Sequence, residues 1–258
     1  MPVSDDLALG LRIADEADRI SLARFGALDL LVETKPDLTP VSDADRAVEQ
    51  AIRGALTRER PDDAILGEEF GSTAHETGRR WVIDPIDATK NFVRGVPVWA
   101  TLIALMDGPD VLVGIASAPA LGHRWWAGRG LGSWRSTAGG AARRNRVSAV
   151  SSLTDASLSY SDLSDWGARS PGFDTLAGSV WRTRAYGDFW SHALVAEGAV
   201  DVSAEPEVSI WDVAALVVIV EEAGGRITGT DGTPSPAAPS IVCTNGRLHT
   251  AVLALLEP

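Results

Sequence analysis

Among the 258 residues there is one cysteine, Cys243. A lone thiol excludes an intrachain disulfide and a cysteine-rich zinc centre. Long apolar runs are equally scarce. The longest, Val213–Val220, falls far short of the ~20 residues that a membrane-spanning helix needs. The opening residues, MPVSDDLALGLRIADEADRI, lack the basic stretch and apolar run of a secretory leader, so a cytoplasmic protein is the expectation. Positive charge is in deficit too: 23 Lys and Arg face 35 Asp and Glu, a formal charge of −12. Nucleic-acid backbones and anionic membranes attract clustered Lys and Arg, so neither is an expected partner. The short basic run Arg143–Arg146 reads as a solvated loop.

What is present is ordinary for a compact protein: 45% hydrophobic and 22% charged residues, enough for one large domain or two tightly joined lobes. Leu7, Leu11, Ala14 and Ala17 recur at helical steps, with Asp5, Asp6, Asp15 and Asp18 assigned to the polar side. A second helix is predicted from Asp43 to Arg58, with Ser42 as its N-cap. Pro36 and Pro40 break the segment between the two, which reads as a long loop and a candidate flap over a site. Strands are predicted at 64–66, 80–83, 98–106, 111–116 and 124–127. The Gly-rich stretch 127–141 has the wrong spacing for a dinucleotide fingerprint and reads as a hairpin.

A composition shift across Thr137–Asn145 places a boundary between an N-terminal lobe, residues 1–140, and a C-terminal lobe, residues 141–258. Beyond it, strands at 156–160, 181–185, 200–203 and 241–243 alternate with helices at 172–178, 189–198, 210–223 and 248–256. No regular βαβ rhythm emerges, so an α/β protein of layered sheets and helices is expected rather than a barrel. His75, His123, His192 and His249 lack the i,i+4 spacing of a metal pair and read as structural or solvent-facing. Trp125 and Trp126 point to opposite faces of a strand, which leaves one available for a contact between subunits.

The chemistry concentrates in carboxylates. In WVIDPIDATKNF an apolar strand runs into Asp84, then Pro85, then Asp87-Ala88-Thr89. Pro85 ends the ladder and presets the turn. Asp87 and Thr89 fall where a helix begins, with free amides facing outward. Each acid alone has a plain reading, Asp84 as a turn residue and Asp87 as a helix cap. Glu68 and Glu69, after the apolar Ala64–Leu66, shift the balance, because buried strand followed by acid then occurs twice in close succession. Carboxylates gathered at one sheet edge repel unless a cation lies between them. Hard oxygen donors suit Mg²⁺ or Ca²⁺, and Mg²⁺ accepts a few carboxylates together with substrate phosphate. Amides at the helix start would bind that phosphate. Asp212 lies in the first turn of the apolar helix 210–223, where it either compensates the helix dipole or completes a metal site from distant sequence.

These residues carry a resemblance. GEEF at Gly67–Phe70, DPIDATKNF at Asp84–Phe92 and WDVAALVVIVEEAGG at Trp211–Gly225, with PVSDAD at Pro40–Asp45, resemble the motifs of the inositol monophosphatase family across nearly the whole chain. The resemblance implies an αβαβα sandwich of the kind shared with fructose-1,6-bisphosphatase. It implies a Mg²⁺-dependent phosphomonoesterase acting through metal-activated water, in one compact catalytic unit, and a homodimer. Two or three Mg²⁺ are implied: one on Glu68, Asp84 and the Ile86 carbonyl, one on Asp84, Asp87 and Asp212, and a weaker one touched by Glu68. Glu68 and Thr89, with Asp45 behind Thr89, would position and deprotonate the attacking water. The Ala88 and Thr89 amides, beside Asp87, would cradle the phosphate. The family usually has Gly where this chain has Ala88, and a methyl group crowds that site if the backbone needs positive φ.

The runs KNFVRGVPVWATLIAL and YGDFW (Tyr186–Trp190) further resemble the histidinol-phosphatase branch of the family. A substrate bearing an ammonium and an imidazole suits Asp188 and Glu205 as acceptors. Phe189 or Trp190 would pack on the imidazole ring. Inositol phosphate, or another sugar or polyol phosphate, is the alternative substrate. A non-catalytic metal-dependent binding protein is the alternative of a different class.

Overall fold

The structure, a computed structural model, describes residues 1–36, 38–73, 78–234 and 236–256; His75 lies outside them. The chain opens with α1 (Val3–Arg24), β1 (Val32–Thr34), β2 (Pro40–Ser42) and α2 (Asp43–Glu59). Next come β3 (Ala64–Gly67), β4 (Gly71–Ser72), β5 (Arg79–Asp87), the short α3 (Thr89–Val93), β6 (Ala100–Asp107), β7 (Asp110–Ala118), β8 (His123–Gly128), β9 (Gly132–Thr137) and β10 (Arg143–Arg144). The remainder is β11 (Ser157–Ser159), α4 (Ser170–Ser179), β12 (Arg182–Arg184), α5 (Asp188–Glu197), β13 (Val202–Glu205), α6 (Ile210–Glu222), β14 (Arg226–Thr228), β15 (Ile241–Thr244) and α7 (His249–Leu256).

Strand alternation explains the layering. Along β5 and β6, Trp81, Ile83, Ile103 and Leu105 face one way and meet Leu9, Ile13, Val48 and Ile52 of α1 and α2. The intervening Val82, Leu102, Ala104 and Met106 face the other way and meet α6. A second, five-stranded sheet repeats the arrangement: Ile241 and Cys243 turn toward α5 and α6, while Val242 turns toward Phe173, Leu176, Val252 and Leu256 of α4 and α7. The order of layers is therefore α1/α2, eight-stranded sheet, α5/α6, five-stranded sheet, α4/α7. This is the αβαβα sandwich expected from the motifs. α6 is apolar on every side because a sheet covers it on both. Its approach to β7 is so close that a Cβ on Gly114 would stand 2.1 Å from the Ala215 carbonyl oxygen.

Several local expectations change. The segment between α1 and α2 is a hairpin rather than an irregular loop, with Val32, Glu33 and Thr34 paired to Ser42, Val41 and Pro40. Pro85 does not end the ladder. β5 resumes at Asp87, opposite Ala100, after a bulge, and the Thr101 hydroxyl takes up the Pro85 carbonyl at 2.8 Å. Asp6 is not on a polar face: it is fully buried beneath Arg60 and Arg79, at 3.2 and 2.8 Å. Trp125 and Trp126 do point oppositely, and each packs into its own side of the sheet. β14 was not anticipated, because three residues are too few for a period to show.

Candidate active site

The bulge in β5 matters most for the site. It brings Asp84 and Asp87 to the same strand end, both buried, with the Ile86 amide donating to Asp84 Oδ1 at 3.0 Å. The Ile86 carbonyl accepts from the Thr89 hydroxyl at 3.0 Å, and Ile86 lines the cleft. Ala88 then turns the chain into α3 at φ +65°, the left-handed region. The methyl group that replaces the family's usual Gly hydrogen therefore does sit on a positive-φ residue.

Two further acids arrive through capping boxes. Asp45 Oδ2 accepts from the Ser42 amide and hydroxyl at 2.8 and 2.6 Å, which fixes the start of α2 and leaves Oδ1 toward Thr89 Oγ1 at 3.4 Å. Asp212 Oδ2 likewise accepts from the Ser209 amide at 2.7 Å, so capping and a role in the site coexist on one side chain. One carboxylate oxygen from each of Asp84, Asp87 and Asp212 lies within 4.8 Å of the others. Among the described residues, no cationic side chain forms an ion pair with any of the three.

Glu68 follows β3 and joins the rim of the cleft, where its direct partner is a lysine. Lys35, at the tip of the β1–β2 hairpin, reaches Glu68 Oε1 at 2.7 Å and Glu69 Oε1 at 2.6 Å. Burial disfavours the Lys35 ammonium, yet the two carboxylates outweigh that and raise its pKa. The Glu68-Glu69 turn rests on Glu49 of α2, which takes the Glu69 and Phe70 amides at 2.7 and 3.2 Å. Neither Lys35 nor Glu49 was singled out from sequence. A charged Glu49 between the buried Val48 and Ile52 was the available signal, because a buried acid must find donors.

The electrostatics express an uncompensated cluster. Burial first, then Glu68, Asp87 and Asp212, push the Asp84 carboxyl well above the usual range. Burial followed by Asp188 and Asp212 does the same to Asp87, against the Phe189 amide that donates to it at 3.0 Å. Asp212 is pushed up to about 7, chiefly by burial. Convergent, buried, unneutralised oxygen donors fit a hard divalent cation, which would relieve the repulsion.

The cleft, about 610 Å³, runs from these acids to a second polar end. There the Ser161 hydroxyl donates to Glu205 at 2.7 Å and accepts from the Asp188 amide at 2.7 Å. Burial, then Asp188, push Glu205 up to about 8. Burial raises Asp188 as well, with Lys90 opposing it. Ser161 is a linking residue that no sequence pattern marked. Of the two aromatic candidates, Phe189 lines the cleft but is 1% exposed and packs on Trp125 at 6.0 Å. Trp190 is not brought to the cleft: it turns back against Tyr186, at 5.5 Å, because successive helix positions diverge by about 100°.

A five-layer sandwich holding a carboxylate cluster at the mouth of a polar cleft is the build of a metal-dependent phosphatase. Residues 10–258 match the inositol monophosphatase family, and the chain belongs to it. It is 58% identical to a histidinol-phosphatase of Mycobacterium tuberculosis, covering 98% of both chains. A histidinol-phosphatase of Streptomyces coelicolor is 57% identical over 98% of this chain and 97% of its own. Among solved structures, the extragenic suppressor protein suhB of Bartonella henselae superposes with a TM-score of 0.89 at 28% identity, covering 98% of each chain. The family is metal-dependent and acts on phosphate monoesters. No described helix is long and apolar enough to cross a membrane.

Proposed function

We infer that this phosphatase hydrolyses L-histidinol phosphate to L-histidinol and inorganic phosphate, a step of histidine biosynthesis. The observation that carries the reading is the near-full-length identity of 57–58% to two histidinol-phosphatases. The second end of the cleft supports it: the half-buried Asp188 and the buried Glu205 are acceptors suited to an ammonium, which would restore their ionised forms.

The residues that would hold metal are Glu68, Asp84, the Ile86 carbonyl, Asp87 and Asp212, and Mg²⁺, two or three per site, is the ion that oxygen donors beside a phosphate select. Bound there, Mg²⁺ supplies an acidified water and neutralises charge on the transferring phosphoryl group. The chain's own residues do the rest. Thr89, held by the Ile86 carbonyl and backed by Asp45, orients the attacking water with Glu68 as its proton acceptor. The Ala88 and Thr89 amides open α3 and receive phosphate oxygens. Asp87 fixes the start of α5 through the Phe189 amide and so sets the spacing between the acids and the leaving-group end. The same reading includes a homodimer in the cytoplasm, testable by sedimentation.

The deciding experiment is phosphate release from a panel of histidinol phosphate, inositol phosphates and sugar phosphates, with and without Mg²⁺. Histidinol phosphate should be turned over far faster than the others, and only with metal. Strong inositol phosphate turnover with none of histidinol phosphate would overturn the reading.

A further inference from the structure

His192 was expected to be structural or solvent-facing; it is buried and bonded to Ser203, and it also borders the cleft. It lies one turn along α5 from Asp188, on the same side of the helix, and its ring lines the cleft although it is only 3% exposed. Nδ1 is engaged by Ser203 Oγ at 2.8 Å. Ser203 precedes Glu205 by two residues on β13, so both face α5 from one side of the strand. His192 therefore forms a floor beneath the Asp188 and Glu205 carboxylates.

Its other nitrogen is free. Among the described residues Nε2 has no hydrogen-bond partner, and it is not one of the polar atoms sealed inside the protein. Open to the cleft, Nε2 can be met by water and can exchange that water for a polar group of the bound substrate. His192 belongs to no acid cluster that would explain it as a metal ligand. Burial pushes its pKa down to about 4, so the ring is neutral and carries one N–H and one lone pair. A second neutral azole ring complements that pattern in either tautomer, N–H to N. A polyol leaving group has no such ring.

We propose that His192 Nε2 is a specificity contact for the imidazole of the leaving group, which places the ring on the cleft floor and the ammonium between Asp188 and Glu205. The proposal rests on histidinol phosphate being the substrate. Phe189 then shapes the wall beside the ring, and Trp190 takes no part.

The test is steady-state kinetics of the Mg²⁺-loaded enzyme on histidinol phosphate and on glycerol 2-phosphate, which has no ring. His192→Asn keeps an amide where Nδ1 bonds Ser203 and removes Nε2, whereas His192→Gln reaches the Nε2 position. His192→Asn should raise KM for histidinol phosphate about tenfold, the worth of one hydrogen bond, with kcat and the glycerol 2-phosphate constants unchanged. His192→Gln should recover part of that loss. Calorimetric titration of histidinol into each variant should show the same weakening without turnover, and His192→Phe replaces His192→Asn there if the latter has no cooperative melt. Parallel losses on both substrates, or no change on either, would overturn the proposal. A wild-type enzyme inactive on histidinol phosphate would instead sink the substrate reading, and the proposal with it.

Discussion

Ala88 stands at φ +65° and ψ +46°, a conformation that costs an L-residue roughly 1–2 kcal/mol. Glycine would avoid that cost but lose about 0.5–1 kcal/mol to its freer unfolded chain. The first effect wins, so Ala88→Gly should stabilise the protein by about 0.5–1 kcal/mol in urea unfolding while phosphatase activity persists. Asp84 shows the opposite trade. Its carboxyl is buried and crowded by Glu68, Asp87 and Asp212. Asp84→Asn should therefore raise the melting temperature of the metal-free protein and cut kcat/KM by about 10³-fold or more, the scale of a lost metal contribution. An Asp84→Asn enzyme with undiminished activity would show that the metal site lies elsewhere. At this scale the acidic motifs were legible because chemistry-bearing residues recur at fixed spacing. The partner that Glu68 and Glu69 share was not, since Lys35 reaches them through a hairpin whose closure no local pattern encodes.

Among the elements, α6 governs the packing. Its run Val213–Val220 is buried throughout, and the sequence showed that such a helix belongs inside. What covers it was hidden, because periodicity reports which face is buried and not against what. The contact is tight at β7, where a Cβ on Gly114 would meet the Ala215 carbonyl oxygen at 2.1 Å and Val218 Cγ1 at 2.7 Å. Backbone cannot yield as a side-chain tip can. Gly114→Val should lower stability by at least about 1–3 kcal/mol, read as a drop in melting temperature, with the acids of the site untouched in sequence. The capping boxes of α2 and α6 show how an element's start serves the site: Asp45 holds its helix through Oδ2 and takes the Thr89 hydroxyl on Oδ1, and Asp212 caps its helix while lying beside Asp84 and Asp87. For Asp212, compensating the helix dipole and completing a site looked like rival readings. They are one arrangement.

At the scale of the whole molecule, the formal charge of −12 is concentrated unevenly, and pH should expose this. Burial, then Asp188, raise Glu205 from 4.5 to about 8, and burial raises Asp212 from 3.8 to about 7. The folded protein holds these protons more tightly than the unfolded chain, so their contribution is full below the unfolded values and is lost as pH rises through the folded ones. The metal-free protein should lose on the order of a few kcal/mol between pH ~4.5 and ~8, measured by denaturant midpoints, and Glu205→Gln should flatten that slope. Mg²⁺ should raise the melting temperature more at pH 8 than at pH 5, since it binds ionised carboxylates. A midpoint that climbs with pH in the metal-free protein would contradict this.

The sequence by itself determined the layered α/β class, the burial of helix 210–223 and the acid motifs, because each is written in local spacing: strand alternation, helical period, carboxylates at strand and helix ends. Tertiary structure alone decided what those faces and charges meet. It carried Asp212 to Asp84 and Asp87, set Asp6 beneath Arg60 and Arg79, turned Trp190 away from the cleft and brought His192 onto its floor. The reason is physical. A buried charge or ring nitrogen must be satisfied, and its partner is chosen by the closure of sheets and hairpins across long stretches of chain, which short-range patterning does not specify.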